Sequence, residues 1–257
     1  MLFIYYVGGT NLLSALNQRL CLPAVRMVCH NMLSIPIAPT IGPITTETIK
    51  KKICDIAIEP RLLAAGTTGT LCGVSLLTDE TALEEAATYH PAENDVGGCC
   101  WKHTGKVYPF LDTYESAEQL AEKISLGEVH LGKEMTVVVA HCFREDGTYP
   151  LLAAPSCKAE DNSDWEVLIH NLIDAWYETD AYKTVRPLWS FTTDGDATCH
   201  KAGHKVFMSS KLAPSSLLFC ILSNLLGLNL NVGPHEMTLD FNYKHLLKHT
   251  FSCYVQR

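Results

Sequence analysis

The sequence lacks the patterns that identify several common classes of protein. Its longest apolar run, residues 217–230, is too short to cross a bilayer and contains Ser223, Asn224 and Asn229. It has no GxGxxG pattern and no GxxxxGK pattern followed by Ser or Thr, which argues against a phosphate-binding loop. No basic segment precedes an apolar one at the start, so the sequence does not predict a secretory signal peptide.

Positive charge and paired cysteines are also scarce. The 257 residues include 20 Lys and Arg and 28 Asp and Glu, which gives a net charge of −8. Proteins whose main function is to bind nucleic acid usually carry a basic surface, so the charge alone does not predict DNA binding. None of the 11 cysteines forms a CxxC pair, which favours free thiols in a reducing intracellular compartment. A hydrophobic content of 47% and a charged content of 19% predict a globular chain with a sizeable core.

Two apolar segments stop at carboxylates. Residues 189–198, WSFTTDGDAT, predict a buried strand that ends at Asp194, and residues 71–80, LCGVSLLTDE, predict another that ends at Asp79. Side chains at the carboxyl ends of neighbouring strands collect at one edge of an α/β sheet. Because Mg²⁺ and Mn²⁺ prefer carboxylate oxygens, such a pair is typical of half of a two-metal phosphoryl-transfer site. A strand followed by an ordinary Asp-Gly turn explains the 189–198 segment, taken alone, equally well.

The hydrophobic periodicity predicts an α/β fold. Predicted strands cover residues 71–78, 95–102, 135–143 and 188–193, and predicted helices cover residues 10–33, 45–57, 115–124, 163–177 and 215–226. Ser116 and Ser163, each followed by Gln or Glu three residues later, predict capping boxes. The order strand, strand, strand, helix, strand is that of the ribonuclease H fold. We therefore expect a ribonuclease H-like mixed sheet with flanking helices at 66–212, a helical region with a Pro-rich linker at 1–65, and a helical segment at 213–257.

Four segments resemble sequence blocks of cut-and-paste DNA transposases, specifically the Kyakuja/Dileera/Zisupton and P-element-like groups of fungal genomes. The segments are LLTDE at 76–80, NDVGGCCWKH at 94–103, WSFTTDGDAT at 189–198 and LDFNYKHLLK at 239–248. The second is similar to a GxCxxH block of these proteins, and the fourth to a later block that ends in HLxK. Together the four span about residues 70–250.

The resemblance implies a ribonuclease H-like core that uses three acidic residues and two Mg²⁺ or Mn²⁺ ions to cut DNA in the nucleus and join its 3′ end to a target. Asp79 would be the first acid and Asp194 the second, each a catalytic residue and a metal ligand. In these transposases the third acid follows the last of the four blocks. A chain ending at Arg257 would therefore be a truncated transposase that is inactive alone. Asp240 could substitute, but it better fits the cap of a predicted helix at 241–249.

Cysteine and histidine spacing leaves a structural zinc site open as an alternative. The candidate ligands are Cys99, Cys100, His103, His200, His204, His245 and His249. The first three form a CC-x2-H pattern, and the others form two pairs at i, i+4, which share one face of a helix. No set among them has the paired spacing of a known closed site.

Two functions remain open from the sequence. One is a fragment of a metal-dependent DNA transposase, and the other is a non-catalytic ribonuclease H-like interaction module or remnant gene product. The predicted helix at 215–226 also carries a broad apolar face with Leu217, Leu218 and Leu225, which predicts self-association.

Overall fold

The computed structural model describes residues 39–58, 73–91, 94–143, 148–194 and 196–241. Its helices are α1 (Thr46–Ile53), α2 (Tyr114–Ser125), α3 (Asn162–Glu178), α4 (Ala181–Thr184), α5 (Ala197–Phe207) and α6 (Phe219–Leu222). Its strands are β1 (Val74–Ala82), β2 (Thr88–His90), β3 (Asp95–Gly97), β4 (Glu134–Cys142), β5 (Thr148–Ser156), β6 (Leu188–Thr193), β7 (Ser210–Lys211), β8 (Asn231–Val232) and β9 (Thr238–Phe241). None of the helices in these ranges combines the length and the hydrophobicity that a membrane span requires. The predicted helix at 10–33 lies outside them.

A five-stranded mixed sheet in the order β5-β4-β1-β6-β9 forms the centre of the fold. Strand β4 runs antiparallel to both β1 and β5, whereas β6 runs parallel to both β1 and β9. The prediction of a mixed α/β sheet with flanking helices is confirmed. This strand order is compatible with a ribonuclease H-like fold.

Helices α3 and α5 cover one face of the sheet because each carries a continuous apolar stripe. The stripe predicted for α3 is buried, with Leu168, Ile169 and Trp176 all in the main core. From α5, the Phe207 ring stacks on Phe191 of β6, with 5.4 Å between the ring centroids. This face therefore holds the larger apolar side chains of β1 and β6.

Helix α1 belongs to the same core. Its inward positions Ile49 and Ile53 are buried in the cluster that α3 and the sheet form, and Thr40 donates its backbone N–H to the carbonyl of Ala153 in β5 at 2.7 Å. The predicted helix at 45–57 is confirmed, and a π-helical turn, Cys54–Ile58, continues it. The domain boundaries drawn from the sequence stay a prediction.

Two strands differ from the prediction. The strand predicted at 95–102 is outside the main sheet, because β3 pairs with β2 in a separate hairpin. Its expected place is taken by β5, which the sequence did not predict. Pro150 and Pro155 lie within β5, and proline is disfavoured in strands because it cannot donate a ladder hydrogen bond. An edge strand tolerates proline, and β5 is at the edge of the sheet.

The helix starts differ from the predicted capping boxes. Helix α3 is capped by Asp161, whose carboxylate accepts the backbone N–H groups of Ser163 at 2.7 Å and Asp164 at 3.1 Å. Helix α2 is capped by Thr113, with Ser116 as its reciprocal partner. The predicted Ser caps are wrong because each Ser already lies inside the first helical turn, where the backbone is no longer extended.

The C-terminal predictions also change. Asp240 lies in β9 and does not cap a helix that starts at Phe241, since both residues pair with β6. The predicted helix at 215–226 is reduced to the four residues of α6, flanked by turns. Residues 242–257 lie outside the described ranges.

Candidate metal and catalytic site

The parallel pairing of β1 with β6 brings Asp79 and Asp194 to the same level. The register pairs Ser75 with Ser190 and Leu77 with Thr192. Asp79 follows Leu77 by two residues, and Asp194 follows Thr192 by two residues. Ser75 and Ser190 share a hydrogen bond of 2.8 Å between their hydroxyls, which shows that these alternate side chains lie on one face of the sheet.

Asp79 and Asp194 line one concave surface, together with Val137, Val139 and Thr192. The pocket that this surface encloses has a volume of about 260 Å³. Asp79 is exposed and lies inside β1, which continues to Ala82 instead of ending at residue 78 as the sequence predicted. The structure thus brings the two predicted ligands together. Their role as catalytic residues and metal ligands stays a prediction.

Local hydrogen bonds orient the carboxylates at this edge. An oxygen of Asp79 accepts the backbone N–H of Glu80 at 2.9 Å, and an oxygen of Asp194 accepts that of Asp196 at 3.2 Å. Asp196 has a separate task, because its Oδ2 accepts the backbone N–H groups of Thr198 and Cys199 and caps α5. The N-terminus of α5 therefore follows Asp194 closely in the chain.

Glu80, the residue after Asp79, is not a freely solvated side chain. It is half-buried, and burial, followed by the neighbouring Glu134 carboxylate, raises the pKa of Glu80 to about 7. The Thr136 hydroxyl donates to Glu80 at 3.2 Å and lowers the pKa by a smaller amount. The Glu80 carboxyl is therefore only partly ionised at neutral pH.

Negative charge is concentrated at this edge of the sheet. Asp79, Glu80, Asp194 and Asp196 line a second small surface together with Trp165 and Cys199. Among the described cations, Lys158 forms an ion pair with the adjacent Glu134, which offsets part of the charge. An oxygen-only donor set with excess negative charge suits a hard divalent ion, so the residues present fit Mg²⁺ or Mn²⁺.

A further carboxylate, Asp240, lies on the neighbouring strand. In β9 it is level with Thr192, and paired residues of parallel strands point to the same face. Asp240 is therefore on the same face as Asp79 and Asp194, about 6–7 Å short of their level along the strand direction. The sequence offers Asp240 as a possible third acid but favours a helix cap, because its pattern predicts a helix at 241–249, where the structure begins with a strand residue.

The described zinc candidates do not gather at one place. Cys100 and His103 lie together, whereas Cys99 is buried in a small second core with Val96 and Leu120. His200 and His204 are exposed on α5, and among the described residues no third ligand gathers with them. The remaining pair, at 245 and 249, lies outside the described ranges.

Comparison with solved structures gives a distant similarity. No protein-family model matches the sequence, and no curated protein matches it. A solved structure of a Drosophila P element transposase strand transfer complex is similar with a TM-score of 0.41 and 9% sequence identity, covering 95% of this chain and 50% of that chain. This chain thus spans about half the length of the transposase chain that it matches. No family is shown by a similarity of this size.

Proposed function

We propose that this chain contains the metal-binding part of a transposase-like polynucleotidyl transferase, in which Asp79 and Asp194 hold Mg²⁺ or Mn²⁺. The supporting observation is that Asp79 and Asp194, each two residues beyond the paired Leu77 and Thr192 of β1 and β6, line the same concave surface. Two such carboxylates would hold the ion through oxygen ligands, which Mg²⁺ and Mn²⁺ prefer. DNA as the substrate and the nucleus as the location follow from the resemblance of the four sequence blocks.

The chain's own groups have distinct roles in this proposal. Asp79 and Asp194 would bind the ion, and the ion would acidify a bound water or 3′-hydroxyl and stabilise the charge on the phosphoryl group. Glu80, with a pKa near neutrality, suits proton transfer at the same edge. Asp240 is a candidate for a third carboxylate because it shares their sheet face.

Metal binding by single variants of the full chain tests the proposal. We expect wild-type protein to bind Mn²⁺ in a calorimetric titration, and Asp79→Asn or Asp194→Asn to weaken that binding at least tenfold because each removes a charged oxygen ligand. Asp174→Asn, at an exposed position of α3, is the matched control and should bind as the wild type does. Unchanged Mn²⁺ affinity in both site variants would contradict the proposal.

The alternative is a non-catalytic ribonuclease H-like interaction module. The net charge of −8 favours it, because a polyanionic substrate is repelled by such a chain unless a partner supplies positive charge. A wild-type chain that folds but does not bind Mn²⁺ would support this alternative over the transferase.

A further inference from the structure

A thiol and imidazole cluster that is not part of the surface lined by Asp79 and Asp194 lies where three separate segments meet. The ligand atoms of Cys100, His103 and Cys157 all lie within 4.8 Å of one another, and Nδ1 of His103 is 3.7 Å from Sγ of Cys157. Sulfur and nitrogen donors select zinc, whereas Mg²⁺ prefers oxygen. We propose that these three residues, completed by His130, form a Cys2His2 structural zinc site.

His130 is oriented to supply the fourth ligand. Its Nδ1 is 3.4 Å from Sγ of Cys157, and its Nε2 is 3.1 Å from the carbonyl oxygen of Gly127. Because a carbonyl only accepts, Nε2 carries the proton and Nδ1 keeps its lone pair toward the cluster. The rings of His103 and His130 are adjacent, with 4.1 Å between centroids. A hydrogen bond from the outer nitrogen to a carbonyl is the usual support of a zinc-bound histidine.

The backbone already holds the ligand-bearing segments together. Cys100 donates its N–H to the carbonyl of His130 at 2.8 Å, and Trp101 donates to that of Pro155, two residues before Cys157, at 2.9 Å. His103 donates its N–H to the carbonyl of Cys100 at 3.0 Å, so the C-x2-H segment forms a tight turn with both side chains directed to the cluster. Three of the four ligands are therefore already gathered, and His130 lies next to one of them, Cys157.

A metal ion here would have a structural task. Residues 83–133, between β1 and β4, include the β2–β3 hairpin and α2, and their small buried cluster contains Val96, Cys99, Leu120 and Val129. Four side chains are few for an independent core, and small units of this kind commonly need a metal or disulfide. Zinc would fasten this segment to the end of β5 at Cys157.

The surroundings allow the ion to enter. Cys100 is fully buried and Cys157 nearly so, whereas His130 is exposed and lines a concave surface of about 360 Å³ next to the cluster. Glu160 is a rival for the fourth position, because its Oε1 accepts a hydrogen bond from the Cys100 thiol at 3.1 Å. Ser156 holds its other oxygen at 2.7 Å.

Zinc content and cobalt spectroscopy on the full chain, purified and kept under reducing conditions, test this site. We expect one zinc ion per chain by elemental analysis, and a thiolate-to-cobalt charge-transfer band with tetrahedral d–d bands after Co²⁺ replaces it. Cys100→Ser and Cys157→Ser should each lose the bound metal. Cys99→Ser is the matched control, because this neighbouring buried cysteine lies in the other cluster, and it should retain the metal.

A second pair of variants identifies the fourth ligand. His130→Gln should weaken Co²⁺ binding at least tenfold, whereas Glu160→Gln should leave it within twofold of the wild type. The opposite result would overturn the assignment of His130. The whole site is overturned if wild-type protein shows no thiolate-to-cobalt band, if Cys99→Ser loses as much metal as Cys100→Ser, or if protein purified without reductant contains a Cys100–Cys157 disulfide and no metal. The wild-type spectrum decides the matter even if a variant fails to fold.

Discussion

At the scale of single residues, Glu80 sets a pH dependence. Its pKa is raised from 4.5 to about 7 in the folded chain, so the folded state binds this proton more tightly than the unfolded state does. The associated stability is fully present below about pH 4.5 and is lost as the pH rises through about 7. Glu80→Gln removes the buried charge, and we expect it to raise the free energy of unfolding by about 1 kcal/mol at pH 8, after a reduction for partial exposure, and to have little effect at pH 5.

Urea denaturation of the metal-free chain at both pH values measures this effect. Glu118→Gln, at an exposed position of α2, is the control and should behave as the wild type at both. A Glu80→Gln variant with the same stability difference at pH 5 and pH 8 would show that the carboxyl is not perturbed by its surroundings.

At the scale of elements, the start of α3 positions the helix that covers the sheet. Asp161 satisfies two backbone N–H groups that have no partner within the helix. Asp161→Ala should therefore lower the free energy of unfolding by about 1 kcal/mol, and Asp161→Asn, which keeps an accepting oxygen, should lower it by only a few tenths. The midpoint of urea denaturation at pH 7 gives both values. Equal losses for Ala and Asn would mean that the side chain acts through its charge and not through the cap.

At the scale of the whole molecule, the chain segment between α5 and β9 carries exposed apolar side chains. Leu217 is 90% exposed and Leu226 is fully exposed, although the long helix predicted there is absent from the described structure. Self-association stays a prediction, and its measurement is sedimentation velocity over a range of concentrations. The double variant Leu217→Glu, Leu226→Glu should reduce a concentration-dependent increase in the sedimentation coefficient, because burying leucine favours association.

The control for this surface is Leu126→Glu, which changes another exposed leucine, 65% exposed, at the end of α2. It should leave association unchanged. A wild-type coefficient that does not vary with concentration would rule out self-association through this surface.

Hydrophobic patterns over a few residues predicted the strands and the helix whose formation depends on neighbouring residues in the sequence. The apolar runs before Asp79 and Asp194 predicted β1 and β6, and the 3–4 spacing predicted the buried face of α3. Strand β5 was not predicted because it contains proline. Proline is tolerated there because β5 is at the edge of the sheet, and the sequence does not show which strand lies at an edge. The 239–248 segment begins with strand residues because its first residues pair with β6. The local sequence pattern does not contain that long-range pairing.

The sequence by itself determined the residue types, the α/β pattern and two carboxylates that follow apolar strands. Only the tertiary structure decided which groups meet: Glu80 with Glu134 across two strands, and Cys100 with Cys157 across 57 residues. The physical reason is that periodicity and capping act over a few residues, whereas strand pairing joins segments at any separation. Burial and the charge of such neighbours then set the chemistry of each side chain.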